Sequence, residues 1–258
     1  MNVSELFSVK GRVALVTGGS TGIGRHIATG LAAAGAKVYI CARTEAKVLA
    51  AAADIAATTG GTCIGLGADL SSLAGIEALV ADISARESAL HVLVNNAGTM
   101  ADAPIDETGE EAWDQVIDLN LKAPFFVLQK FLPLLRAGGT AERPATVINI
   151  GSVGALKVGP KENYAYQASK GAIHWLARGL AKRLGRDHIT ANVIAPGFFE
   201  SEMTVIASDE MRKMVEGMVP RGRVGTPEDL AGTAIFLASR AGAYVTGSVI
   251  PLEGGLSI

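Results

Sequence analysis

Arg12-Val13-Ala14-Leu15-Val16 runs directly into Thr17-Gly18-Gly19-Ser20-Thr21-Gly22-Ile23-Gly24, and a helical pattern then extends from Gly22 to Ala34. The apolar, β-branched run ahead of the glycines reads as a buried strand. Glycines let the chain turn sharply and bring its backbone close to a ligand. A helix that starts there offers free N–H groups, and the positive end of its dipole, to an anion. A glycine string alone marks only a tight turn. The strand before it and the helix after it supply the context that a pyrophosphate-binding turn requires.

The same alternation fills the rest of the chain. Lys37–Cys41 reads as a strand, followed by an alanine-rich helix through about Ala57, a strand at Thr62–Leu66, a helix over Leu73–Arg86 and a strand at His91–Val94. A long helical stretch covers Glu110 to Arg136, then come a strand at Thr146–Ile150 and a helix from Asn163 to Leu184. Ile189–Ile194 and Ser248–Pro251 are the last strands, with a helix over Pro227–Ser239 between them. Near-continuous apolar strands separated by helices predict an α/β fold, a doubly wound parallel sheet with helices on both faces. Right-handed crossovers then put ligands at the carboxyl ends of the strands. No linker, repeat or low-complexity tract intervenes, so residues 1–258 read as a single Rossmann-type domain with a substrate loop at about 198–222.

Composition narrows the function. A net charge of −2, with basic residues scattered singly among acids, argues against a nucleic-acid surface, which needs clustered Lys and Arg. No apolar stretch is long enough to span a bilayer, and no secretory leader is expected ahead of Glu5, Lys10 and Arg12. The cytoplasm is the expected compartment. Cys41 and Cys63 fall at opposite ends of neighbouring strands, so they should not pair, and no metal-ligand spacing is present.

A second set of residues carries chemistry. Tyr166-Gln167-Ala168-Ser169-Lys170 opens a helix, and residues four apart share a helix face, so the phenol and the ammonium lie side by side. A phenol ordinarily titrates near pH ~10. A neighbouring cation would lower that value and make it a usable proton donor and acceptor. Ser152 follows a strand end, fourteen positions before Tyr166, where its hydroxyl could hold a substrate oxygen or simply cap a turn. Asn120 falls within the long helix, where asparagine is a poor former and a buried amide needs partners. Tyr164 competes as the tyrosine, but four residues on it meets Ala168 rather than a lysine.

The Thr-Gly-x-x-x-Gly-x-Gly spacing, together with Asn120, Ser152, Tyr166 and Lys170 in that order, resembles the short-chain dehydrogenase/reductase family from about Lys10 to Leu256. The resemblance implies a nicotinamide cofactor held by Thr17, Gly18, Ser20, Thr21, Gly22, Ile23 and Gly24. It also implies contacts from Asp69 and Leu70, from Asn96-Ala97-Gly98, from Tyr166 and Lys170, and from the turn of Pro196, Gly197, Phe199 and Ser201. Asp69 could equally serve the next helix as a cap. A family-style tetramer or dimer through the long helices and the last strand is implied too, and Ala168, Gly171, Ala172 and Gly179 would allow close packing. Ala42-Arg43 stands where an acid would select NAD; the missing carboxylate and the present guanidinium favour NADP(H) over NAD(H), unless Arg43 merely pairs with Glu45.

The implied reaction interconverts a carbonyl and a secondary alcohol, with Tyr166 moving the proton, Ser152 polarising the oxygen and Lys170 orienting the ribose. No metal is required. His174 and His188 read as ordinary helix or turn residues. Phe198, Phe199, Met203, Met211, Met214 and Met218 suit either a lipophilic small-molecule substrate or a lid packed on the core. The stretches 148–153, 164–170 and 192–203 are similar to bacterial 3-oxoacyl reductases of the rhamnolipid type. An NAD-dependent alcohol or sugar dehydrogenase is the alternative; a non-catalytic cofactor sensor would be expected to lack the tyrosine or the lysine. Residues 137–144 form a longer loop than the family usually has and are assigned no role.

Overall fold

The computed structural model describes residues 1–159, 161–200 and 208–258. Seven parallel strands, β1 (Val13–Thr17), β2 (Lys37–Ala42), β3 (Thr62–Gly67), β4 (Val92–Asn95), β5 (Ala145–Ile150), β6 (Ile189–Pro196) and β7 (Val249–Leu252), form one sheet. Their order is β3-β2-β1-β4-β5-β6-β7. The order reverses between β1 and β4, and it is there, outside the strand ends, that such sheets leave a crevice.

The strands are buried on both faces because successive side chains feed different cores. In β1, Ala14 and Val16 join one cluster with Ile27 and Leu31 of α2 (Gly22–Ala33), Val48 and Ile55 of α3 (Glu45–Thr59), and Leu230 and Leu237 of α9 (Pro227–Ala238). Val13 and Leu15 point the other way, toward α4 (Leu73–Ser84), α6 (Ala123–Gly138) and α7 (Tyr164–Leu184). This two-sided demand explains why the strands read as continuous apolar runs rather than alternating ones. The doubly wound α/β fold expected from the sequence is the fold observed. The thiols of Cys41 and Cys63 are free, and Cys63 pairs across the sheet with Val38 rather than with Cys41.

Three local features differ from the sequence reading. The helix expected over Glu110–Arg136 is α5 (Glu110–Ile117), a π-helical turn at Asp118–Lys122, and α6 running on to Gly138. A short α1 (Val3–Leu6) and an α8 (Asp209–Met218) add to the expected elements. Residues 139–144 do not project as a free loop. Gly139 abuts the His188 carbonyl so closely that a Cβ there would stand 2.3 Å from it, and Arg143 donates to the Ser8 carbonyl at 3.2 Å.

Beneath that loop lies Arg12, 3% exposed. It donates to the carbonyls of Ala238 (2.8 Å), His91 (3.0 Å) and Pro144 (2.6 Å), tying together the ends of α9, β4 and β5. Burial first, then the nearby Arg143, lowers its pKa to about 10.

At the start of α9, Thr226 and Asp229 form a capping box, and Arg223 donates two hydrogen bonds to the Asp229 carboxylate. Arg223 first, with the Thr226 amide and hydroxyl helping against some desolvation, holds Asp229 down at about 2. Its folded pKa lies below the ordinary carboxylate value, so the stabilisation is present above pH ~4 and is lost as pH falls toward 2. Asp229→Asn should therefore cost up to ~1 kcal/mol at neutral pH, reduced by partial exposure. It should also flatten the loss of stability between pH ~4 and ~2 in acid denaturation curves.

Candidate active site

The glycine turn is locked to the loop after β4. The Thr17 hydroxyl accepts from the amides of Asn96 and Ala97, both at 3.0 Å, and donates to the Val94 carbonyl. The Asn96 amide nitrogen donates to the carbonyls of Thr17 (2.9 Å) and Gly18 (3.0 Å). Gly18 takes φ +63°, and a Cβ there would lie 2.9 Å from Ala97 and Asn96; at Gly24 it would lie 2.3 Å from the Asn96 amide. Thr17 and Asn96 thus shape the cradle while their side chains are engaged within the protein. Ser20, Thr21, Gly22 and Ile23 lie partly exposed at the lip, where α2 begins.

On the far side of the turn, Arg43 is exposed at the end of β2 and has no ion-pair partner among the described residues, Glu45 included. Asp69 is exposed after β3, and its Oδ1 accepts from the Ser71 amide (3.1 Å) and hydroxyl (2.8 Å). Those bonds first, and then the field of Arg43, hold its carboxyl below the ordinary range. The cap of α4 is Ser72, so the alternative role for Asp69 falls to its neighbour. Leu70 is buried in the core. Gly98 lies against Asn120, and a Cβ there would meet its Oδ1 at 3.0 Å.

Beyond the cradle, four predicted residues converge. Lys170 is 6% exposed and donates from Nζ to the Ile150 carbonyl at 2.7 Å, with Nζ 5.6 Å from the Tyr166 ring centre. Ser152 Oγ accepts from the Gly154 amide at 3.0 Å, and Ser152 acts on the Tyr166 phenol, whose pKa it lowers. Asn120 sits on the π-turn, 1% exposed; its Oδ1 accepts from the Thr99 amide (2.8 Å), and its Nδ2 donates to the Thr99 carbonyl (2.9 Å) and Ser169 Oγ (3.2 Å). Ser169 Oγ in turn donates to the Tyr166 carbonyl at 2.7 Å. The amide that sequence reasoning places in a plain helix is therefore a tie between β4's loop and α7.

The electrostatics depart from the simple expectation. Burial raises the Tyr166 pKa, opposed by the Ser152 hydrogen bond, and burial lowers Lys170 to about 8. Desolvation is the larger cause, and Lys170, whose Nζ donates to the Ile150 carbonyl, is not among the groups that lower the phenol. Tyr164 is exposed and donates to Glu162 at 2.7 Å, outside this cluster.

The closing turn places Pro196 at the end of β6, with Gly197 pressed against Glu253, where a Cβ would stand 2.7 Å from the Glu253 Cβ. Phe199 is 4% exposed, its ring filling the space over Gly225, so it offers a ligand its backbone rather than its ring. Ser201 and Met203 lie outside the described residues. Among the described residues, one cleft is lined by Phe198, Phe199, Val219, Arg221 and Leu252, and another by Ala101, Trp113, Tyr164 and Glu162. Neither is lined by Ser152 or Tyr166.

His174, read from the sequence as an ordinary helix residue, accepts from the Ser152 amide through Nε2 at 3.4 Å. The signal is its spacing, one further turn along the row of Tyr166 and Lys170.

A glycine cradle at the start of a helix and a Ser-Tyr-Lys cluster at the neighbouring strand ends define a nucleotide-dependent oxidoreductase. The family model described as enoyl-(acyl carrier protein) reductase matches residues 18–257, and the chain belongs to the short-chain dehydrogenase/reductase family. It is an oxidoreductase. Among its relatives is the rhamnolipids biosynthesis 3-oxoacyl-[acyl-carrier-protein] reductase of Pseudomonas aeruginosa, 47% identical over 254 residues that cover 98% of each protein. The 3-oxoacyl-[acyl-carrier-protein] reductase FabG of Escherichia coli is 36% identical, covering 96% of this chain and 98% of that one. Among solved structures, the Pseudomonas aeruginosa RhlG/NADP active-site complex superposes with a TM-score of 0.94 at 45% identity, over 100% of both chains. A gluconate 5-dehydrogenase from Burkholderia cenocepacia in complex with NADP and tartrate gives 0.90 at 33% identity over 99% of both.

The cradle fits a dinucleotide on structural grounds. At Gly18 and Gly24 the room for a Cβ is taken by Asn96, Ala97 and the Gly18 carbonyl, so only glycines let the turn pack on the loop after β4 and deliver the free amides at the start of α2 to a phosphate. Among the described residues, the Arg43 guanidinium at the end of β2 has no ion pair, and the buried Lys170 ammonium beside Tyr166 has no counter-charge.

Proposed function

We propose that the chain is an NADP(H)-dependent reductase that interconverts a carbonyl and a secondary alcohol, acting on 3-oxoacyl or related lipophilic ketone substrates. The observation that carries this reading is the buried Lys170 ammonium, held by the Ile150 carbonyl beside the Tyr166 ring, with Ser152 acting on that phenol at the carboxyl end of β5. NADP(H), when bound, supplies or accepts the hydride. The turn from Gly18 to Gly24 would hold its pyrophosphate, with Asn96, Ala97 and Gly98 lining the next strand end and Pro196, Gly197, Phe199 and Ser201 closing over the nicotinamide side. Arg43 would face the 2′-phosphate, and Asp69 with Leu70 the adenine.

Ser152 polarises the substrate oxygen and Tyr166 gives it a proton, or takes one in the oxidative direction. Lys170 holds the ribose and provides the positive field behind the phenol. Asn120 keeps the β4 loop and α7 at fixed separation. The chain is read as one domain, with residues 198–222 as the substrate loop, and as a cytoplasmic homotetramer or homodimer. The exposed small residues Ala168, Gly171 and Gly179 beside Trp175, itself 73% exposed, support a helix-packing surface. No described helix is long and apolar enough to cross a membrane.

A turnover screen of 3-oxoacyl thioesters, simple ketones and sugar ketoses, each with NADPH and NADH, tests the reading; turnover confined to ketoses would overturn the substrate class. Arg43→Ala should weaken NADPH binding about tenfold and leave NADH binding unchanged, the scale of one lost charge-assisted hydrogen bond. Titration of both cofactors by fluorescence measures this, and an equal effect on the two would remove Arg43 from the phosphate site.

A further inference from the structure

Two side chains of α7, one turn apart, grip consecutive peptide groups of the segment that leaves β5. Lys170 Nζ donates to the Ile150 carbonyl at 2.7 Å. His174 Nε2 accepts from the Ser152 amide at 3.4 Å, so the neutral ring carries its proton on Nδ1. Gly151 lies between these two grips, and the imidazole fills the room where its side chain would be: a Cβ at Gly151 would stand 2.2 Å from Nε2. The hydroxyl of Ser152, whose amide is held this way, accepts from the Gly154 amide at 3.0 Å and acts to lower the pKa of the Tyr166 phenol.

We infer that His174 is a positioning residue for the reaction: with Lys170 it fixes the peptide planes on either side of Gly151 and so sets the direction of the Ser152 hydroxyl toward Tyr166. This rests on the roles proposed above for Ser152 and Tyr166. The charged groups that act on the ring are Lys170 and Arg178, both on its own helix. With burial as the larger cause, they hold its pKa at about 4, which keeps it an acceptor throughout the neutral range. A protonated imidazole could not accept that amide. Histidine therefore supplies an acceptor in a place where a second cation beside Lys170 would be repelled.

The test uses the full chain with NADPH and acetoacetyl-CoA, and the corresponding alcohol with NADP⁺. His174→Leu keeps bulk and loses the acceptor; His174→Gln returns an acceptor oxygen close to the position of Nε2. The Leu variant should lose kcat about tenfold, the scale of one hydrogen bond, with the KM for NADPH within about twofold. Its alcohol-oxidation rate should also need higher pH, because a phenol with a loosened Ser152 bond titrates higher. The Gln variant should restore both the rate and the pH limb.

Gly151→Ala, whose added methyl displaces the ring, should reproduce the kcat loss in a chain that still contains His174, and it stands in should the Leu variant not fold. A wild-type kcat and pH limb in the Leu variant would overturn the inference, as would a Gln variant impaired as much as Leu. If Tyr166→Phe turns over normally, the failure lies instead with the roles given to Ser152 and Tyr166.

Discussion

Tyr166→Phe is expected to lower turnover by about 10²–10⁴-fold while NADPH binds within about twofold of the parent protein. The phenol stands beside Ser152 and Lys170 and can both give and take a proton, and removing one oxygen leaves the ring, its packing and Lys170 in place. Tyr164 cannot substitute, since it is exposed and bonded to Glu162. Stopped-flow hydride transfer and equilibrium cofactor titration on the same preparation separate the two effects. Turnover within tenfold of wild type would remove the proton from Tyr166.

Arg12→Met should destabilise the fold by about 3 kcal/mol, read as a lower urea midpoint with an unchanged slope. The substitution keeps most of the buried bulk but leaves the carbonyls of Ala238, His91 and Pro144 without this donor. The His91 carbonyl still accepts from the Thr146 amide, so the loss falls short of three full desolvation penalties. Arg12→Lys should recover only part of it, because a single ammonium cannot reach in three directions as a planar guanidinium does. A midpoint equal to wild type would mean that water satisfies those carbonyls once the arginine is gone.

The sheet, its coverage and the cradle are legible in the sequence because each is written in local pattern: strand runs, helix periodicity, and glycines where the turn has no room for Cβ atoms. Arg12 is not, since a lone cation after Gly11 looks like a surface residue until β4, β5 and α9 bring three carbonyls to it. Thr17 and Asn96 can be assigned to the cofactor turn from sequence, but their bonding to one another cannot, because that lock joins residues 79 positions apart. Spacing alone predicts that Lys170 lowers the Tyr166 pKa, whereas burial raises it in the folded chain. His174 escapes a sequence reading because its partner is a backbone amide, which no side-chain pattern reveals.

The π-turn at Asp118–Lys122 has a bearing on how such a site can arise. A π-turn is an α-helix with one residue too many, and the surplus is absorbed where it occurs. Downstream, Val127, Leu128 and Phe131 still face the core as they would in an unbroken helix. Upstream, Val116 is buried as well. The insertion thus turns one amide out of register without asking the rest of the helix to repack. A packed scaffold can acquire a functional side chain by such a step at little structural expense, and could discard it again by a single-residue deletion.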